Sequence, residues 1–95
     1  MATIHLVRFK LQPAVAERDF LATNQEFQAQ AKAILPGLER REALRGPAGE
    51  WALLLRYVDL AAAQRQGSPS EIGKRLMGMI DKATMTSIFY EVVTD

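Results

Sequence analysis

The sequence predicts an α+β fold of ferredoxin-like type, βαββ(α)αβ, with four strands in one antiparallel sheet and the helices on one of its faces. Three observations carry that prediction. Strand and helix signals run in the order strand, long helix, strand, strand, short helices, strand. A Gly/Pro-rich turn joins the two middle strands as a hairpin. Right-handed crossovers then allow few other arrangements of the same order.

Residues 3–10 alternate, with Ile4, Leu6 and Arg8 on one face and Thr3, His5, Val7 and Phe9 on the other, and Pro13 closes the strand. A helix is expected over 15–35, where Glu17 and Asp19 suit the positive end of the helix dipole. Phe20, Asn24, Phe27, Ala31 and Ile34 recur at spacings of four and three and form its inward face. Pro36-Gly37 ends it, since proline cannot continue a helix and glycine accepts the backbone angles of the exit. Strands over 38–45 and 51–58 flank the turn Gly46-Pro47-Ala48-Gly49. Asp59 caps a short helix over 60–66, Gly67-Ser68-Pro69 breaks it, and Ser70 opens another over 70–79, weakened by Gly73 and Gly78. The last strand is expected over 84–94.

Ninety-five residues make one domain, 1–95, small enough to be marginally stable alone. The absence of cysteine excludes a disulfide framework, a thiolate metal site and a cysteine nucleophile. Twelve basic and eleven acidic residues are interspersed, with a net charge of +1, which argues against a nucleic-acid partner. The N-terminal MATIHLVRFK has no apolar core of signal-peptide length and no stretch is long enough to span a bilayer, so a cytoplasmic protein without a membrane partner is expected.

What covers the second face of the sheet is the next question. In the third strand Trp51, Leu53, Leu55 and Tyr57 share one side, while Ala52, Leu54 and Val58 share the other with only Arg56 polar. The last strand repeats this, with Ile88, Tyr90 and Val92 on one face and Met85, Phe89 and Val93 on the other. Strands apolar on both faces need cover on both. The helices of one chain cover one face only, so the expected solution is a homodimer packed sheet to sheet, closing a barrel between two subunits.

The pattern Phe20-x3-Asn24, Gln28, Pro36-Gly37-Leu38 with Arg40-Arg41, and Gly49-Glu50-Trp51 with its aliphatic run to Tyr57 resembles the dimeric α/β-barrel superfamily. Within it the chain is most similar to the antibiotic-biosynthesis-monooxygenase-like (ABM-like) proteins, and the resemblance extends through Met79-Ile80-Asp81 to Tyr90-Glu91-Val92. It implies the fold and the dimer described above. Activities in the superfamily range from cofactor-independent oxygenation of phenolic polyketides to haem degradation and muconolactone isomerisation, and fold does not choose among them. The haem-degrading pattern places its axial histidine on a later helix, and this chain has no histidine between 68 and 79. Neither a cofactor nor a metal is therefore expected.

Among candidate site residues, Asn24 is unusual, since an unpaired amide on the apolar helix face would cost roughly 1–3 kcal/mol. It either holds a ligand oxygen or bonds a nearby backbone group or Gln28. His5, the only histidine, is either a general base near neutral pH or a satisfied residue at the core edge. Trp51 and Tyr57 share a strand face and either wall an aromatic pocket or serve as core aromatics, with Phe20, Phe27 and Gln28 as further pocket neighbours. Arg40, Arg41, Arg45 and Arg56 alternate with Glu39, Glu42, Glu50 and Asp59, which favours a solvated charge lattice over an anion site. Met77, Met79 and Met85 are expected to plug a core gap.

Two other classes share the topology. An RNA-recognition module would carry a glycine-and-aromatic stacking platform on its third strand, which here reads Trp51-Ala52-Leu53-Leu54-Leu55-Arg56-Tyr57. An amino-acid-sensing module would carry glycine-rich ligand loops between subunits. The resemblance thus leads to a monooxygenase acting without a cofactor on a phenolic or hydroquinone-type aromatic, with Asn24 holding the substrate oxygen, Trp51 and Tyr57 as walls and His5 as base. The alternative is a non-catalytic homodimer that binds a small apolar ligand or has a vestigial pocket. The enzyme reading requires a cavity of roughly a few hundred cubic ångströms between helix and sheet, with Asn24 exposed into it.

Overall fold

The computed structural model describes residues 1–65, 67 and 69–95. Four strands, β1 (Thr3–Leu11), β2 (Leu38–Arg45), β3 (Glu50–Tyr57) and β4 (Ile80–Glu91), form an antiparallel sheet in the order β2-β3-β1-β4, with helices α1 (Glu17–Ile34), α2 (Leu60–Gln64) and α3 (Glu71–Gly78) between them. This is the ferredoxin-like α+β fold that the order of signals predicts.

Burial in β3 alternates strictly. Trp51, Leu53, Leu55 and Tyr57 are buried, while Glu50, Ala52, Leu54 and Arg56 are half-buried. The buried row packs in one core with Phe20, Phe27, Ala31 and Ile34 of α1, Ala62 and Ala63 of α2, and Ile72 and Leu76 of α3, so all three helices cover the same face. Val58, expected on the other face, lies beyond the end of β3 and is exposed.

Local chemistry sets the element ends. Asp59 accepts the Ala62 N–H at 2.8 Å to start α2, and Ser70 accepts the Gly73 N–H at 3.0 Å to start α3, as their side chains predict. The expected end of α2 at Gln66, and Ser68 in the following break, lie outside the described residues. After α1 the chain turns at Gly37, whose φ of 85° and close approach to Ala62 both require glycine.

β4 begins at Ile80 and ends at Glu91, earlier at both ends than the sequence suggests. Arg8 pairs with Thr86 but Lys10 pairs with Asp81, so residues 82–85 bulge out opposite Phe9. Thr84 holds the bulge: its Oγ1 accepts the Lys10 N–H at 2.8 Å and donates to the Asp81 carbonyl at 2.7 Å. The side-chain hydroxyl replaces a missing ladder bond, which is why an unbroken alternation does not announce the first half of this strand.

Candidate functional site

One row of cross-strand partners organises the helix-facing side of the sheet. His5 of β1 pairs with Leu55 of β3 and with Phe89 of β4, and Leu55 pairs with Arg41 of β2, which gives the order Arg41, Leu55, His5, Phe89 across all four strands. Partners in such a row point to the same face. Above it, between sheet and helices, lies a cavity of about 670 Å³ with a mainly apolar wall that includes Leu53 and Leu55 from the sheet, Phe27 and Ile34 from α1, and Leu76 from α3.

His5 stands in this wall with its ring stacked on Phe89, centroids 4.4 Å apart and planes inclined by 18°. Its Nε2 is buried and has no hydrogen-bond partner among the described residues. Burial pushes its pKa below the ordinary 6.5, because the charged form loses hydration, so the imidazole is neutral at pH 7 and free to take a proton. Tyr57 lines the same cavity; burial raises the pKa of its phenol, and the positive charge of Arg41 opposes the rise.

Arg41 departs most from expectation. It is only 5% exposed, it lies in the cavity wall, and its guanidinium sits 4.7 Å from the centroid of the Phe27 ring. Gln28 grips it twice: Gln28 Nε2 donates to the Arg41 carbonyl at 3.0 Å, and Arg41 Nη1 donates to Gln28 Oε1 at 2.8 Å. Loss of hydration lowers its pKa to about 10, with the Tyr57 phenolate acting in the opposite sense, and it stays cationic near neutrality.

The other three hairpin arginines do form the expected charge lattice. Arg40 pairs with Glu42, Arg45 with Glu17, and Arg56 with Glu39 and Asp95. Arg41 leaves that lattice because register places it opposite Leu55, on the buried side. A signal for this was present: the turn sets Arg45 against Trp51, and counting back four residues on β2 and forward four on β3 gives Arg41 against Leu55.

Of the residues singled out from the sequence, His5, Phe27 and Tyr57 meet in the cavity. Four do not line it. Phe20 is fully buried between Phe9 and Trp51, at centroid distances of 5.8 and 5.0 Å. Trp51 packs against Phe20 on one side and under the Arg45 guanidinium, 5.2 Å from its ring centroid, on the other. Gln28 acts through Arg41. Asn24 is half-buried, is absent from the cavity wall, and keeps a buried Oδ1 without a partner among the described residues. Of the methionines expected to plug the core, Met77 and Met85 line the cavity and are substantially exposed, while Met79 packs against the core.

No protein-family model matches this sequence, and no curated protein matches it. Solved structures do match the fold. A proposed antibiotic biosynthesis monooxygenase from Caulobacter crescentus is 18% identical, with 98% of this chain and 91% of that one covered and a TM-score of 0.76. SnoaB, a cofactor-independent oxygenase from Streptomyces nogalater, is 16% identical over 99% of this chain and 95% of its own, with a TM-score of 0.76. A dimeric ferredoxin-like protein of unknown function from a Jannaschia species is 16% identical over 97% of this chain and 100% of that one, with a TM-score of 0.67. The chain has the ABM-like form of the ferredoxin-like fold that its sequence pattern resembles.

Proposed function

We propose that this protein is a homodimer that binds a flat phenolic compound between its helices and its sheet and oxygenates it without a cofactor. The observation that carries the reading is the largely apolar cavity of about 670 Å³ with an uncharged imidazole in its wall. The fold likeness to SnoaB supports it. A phenol gives its O–H proton to Nε2 of His5. The phenolate, electron-rich at the ring carbon opposite the oxygen, passes one electron to dioxygen, and the radical pair joins to form a carbon–oxygen bond. His5 returns its proton to the peroxide and then takes the C–H proton as the O–O bond breaks. The departing hydroxide leaves with that proton as water, and a quinone carbonyl remains. All four electrons come from the substrate, so one oxygen atom ends in the quinone and the other in water. Phe27 and Leu55 keep bulk water from the reacting carbon. This scheme assigns Asn24 no contact with the substrate.

The dimer rests on the other face of the sheet, where Ile4, Leu6 and Leu54 are half-buried and Leu44, Ile88 and Tyr90 are exposed. Ion pairs Arg8–Glu50 and Arg56–Asp95 belong to the same face and suit its rim. The Jannaschia neighbour, described as dimeric, supports the same arrangement. A cytoplasmic location goes with this reading.

A test is oxygen uptake by the purified protein with a dihydroxynaphthalene, with isotopically labelled dioxygen to follow the atom into the quinone. Label in the quinone, lost in His5→Ala, supports the reading; uptake no faster than without protein refutes the oxygenase. The second reading, a non-catalytic binder, is favoured by the absence of Asn24 from the cavity wall, and saturable binding of the same compound without turnover is its signature.

A further inference from the structure

We propose that Arg41 is the receptor for a carboxylate on the ligand of this cavity, so that the substrate class of the site is a hydroxylated aromatic acid. The inference rests on the reading of the cavity as a phenol-binding site.

Four observations support it. First, Arg40, Arg45 and Arg56 each have a carboxylate partner, whereas Arg41 has none among the described residues and is the most buried of the four. Second, its bound neighbour Gln28 is neutral, so the hydrogen bond fixes the guanidinium in place and leaves its charge uncompensated. Third, the nitrogens left over are Nε and Nη2, both buried and both without an acceptor among the described residues. These two N–H groups lie on one edge of the planar guanidinium, the edge that meets a carboxylate through two parallel hydrogen bonds. Fourth, the cavity wall also carries Arg65 and Lys74 and, among the described residues, no aspartate or glutamate. Lys74 is paired with Glu71 at 3.7 Å, so the charge that meets an entering anion is chiefly that of Arg41 and Arg65.

The row across the sheet gives the ligand its length. Arg41 and His5 are both partners of Leu55, two strand spacings apart, which is about 10 Å. That backbone separation leaves room between the two side chains for an aromatic of more than one ring, so a two-ring acid is the probe to use. Its acid end is fixed by charge, and its hydroxyl end is presented to the base.

The test compares three probes by calorimetry on the wild-type protein: a hydroxynaphthoate with hydroxyl and carboxylate at opposite ends, its neutral amide, and naphthol. The acid is expected to bind about 10- to 100-fold more tightly than the amide, as hydrogen bonds to a charged pair imply. Arg41→Met is expected to abolish that preference while naphthol still binds, and Arg40→Met, outside the cavity wall, is expected to keep it. Should Arg41→Met fail to fold, Arg41→Gln takes its place. Equal binding of acid and amide by the wild type, with naphthol still bound, overturns the carboxylate site and leaves the cavity reading intact. A preference that survives loss of Arg41 overturns it as well. Binding of none of the three overturns the cavity reading and, with it, this inference.

Discussion

Gln28 on α1 and Arg41 on β2 hold each other by two hydrogen bonds, one to the guanidinium and one to the backbone carbonyl. The pair ties the middle of the long helix to β2, an edge strand whose backbone ladder is made with β3. It also holds a buried cation at a fixed point of the cavity wall.

The two partners respond differently to substitution. Removing Gln28 strips a buried cation of the side-chain oxygen that accepts its hydrogen bond, so Gln28→Ala is expected to cost about 1.5–3 kcal/mol in urea unfolding. Arg41→Met replaces the cation with an apolar chain of similar length, and its stability is expected to stay within about 1 kcal/mol of wild type or to rise. In the double variant the cost of losing Gln28 should largely disappear.

His5 predicts a pH dependence with a definite sign. Its folded pKa lies below the unfolded value of 6.5, so the unfolded chain binds the proton first. The stability contributed by the neutral ring is complete above 6.5 and is lost as pH falls through the folded pKa. Thermal unfolding of wild type should therefore weaken, relative to His5→Gln, as pH falls below neutrality. An acid limb in kcat/KM that is present in wild type would follow the same group.

Two glycines with positive φ separate strain from collision. A Cβ at Gly37 would lie 2.6 Å from the Ala62 Cβ, whereas one at Gly49, φ 77°, would meet nothing within 4 Å. Gly49→Ala is expected to cost about 1–2 kcal/mol from the backbone alone. Gly37→Ala should cost clearly more, since α2 must shift to make room; equal losses would contradict the contact.

The open face of the sheet gives the dimer a direct test. Leu54 and Ile88 lie on it, while the core lies on the other side. Leu54→Lys and Ile88→Lys are expected to shift the protein from dimer to monomer in sedimentation while far-ultraviolet circular dichroism is unchanged. A wild-type protein that sediments as a monomer at micromolar concentration would refute the dimer.

The sequence was most legible where one residue type decides one local structure. Asp59 and Ser70 cap the helices they precede, Pro36-Gly37 ends α1, and the odd-numbered residues of β3 face the core. It was less legible where position depends on a partner strand. Asn24 and Trp51 are on the inward sides of their elements, yet the cavity opens beside Phe27, about one helical turn along α1 from Asn24. Periodicity gives the face of a residue but not its place along the element. Arg41 was hidden for a related reason: between Arg40 and Glu42 it reads as surface, and only its register with Leu55 reveals that it is buried.

The bulge at residues 82–85 governs which side chains β4 can offer. Ile80 and Met85 are five positions apart, and in an unbroken strand an odd separation would send them to opposite faces. With four residues set against one, Ile80 stays in the core and Met85 and Ser87 still reach the cavity. β4 is in effect two half-strands of opposite phase sharing one neighbour. Only the loss of three of its four residues would leave one opposite Phe9 and an unbroken ladder, with each half of β4 keeping the face that its pairing with β1 gives it now.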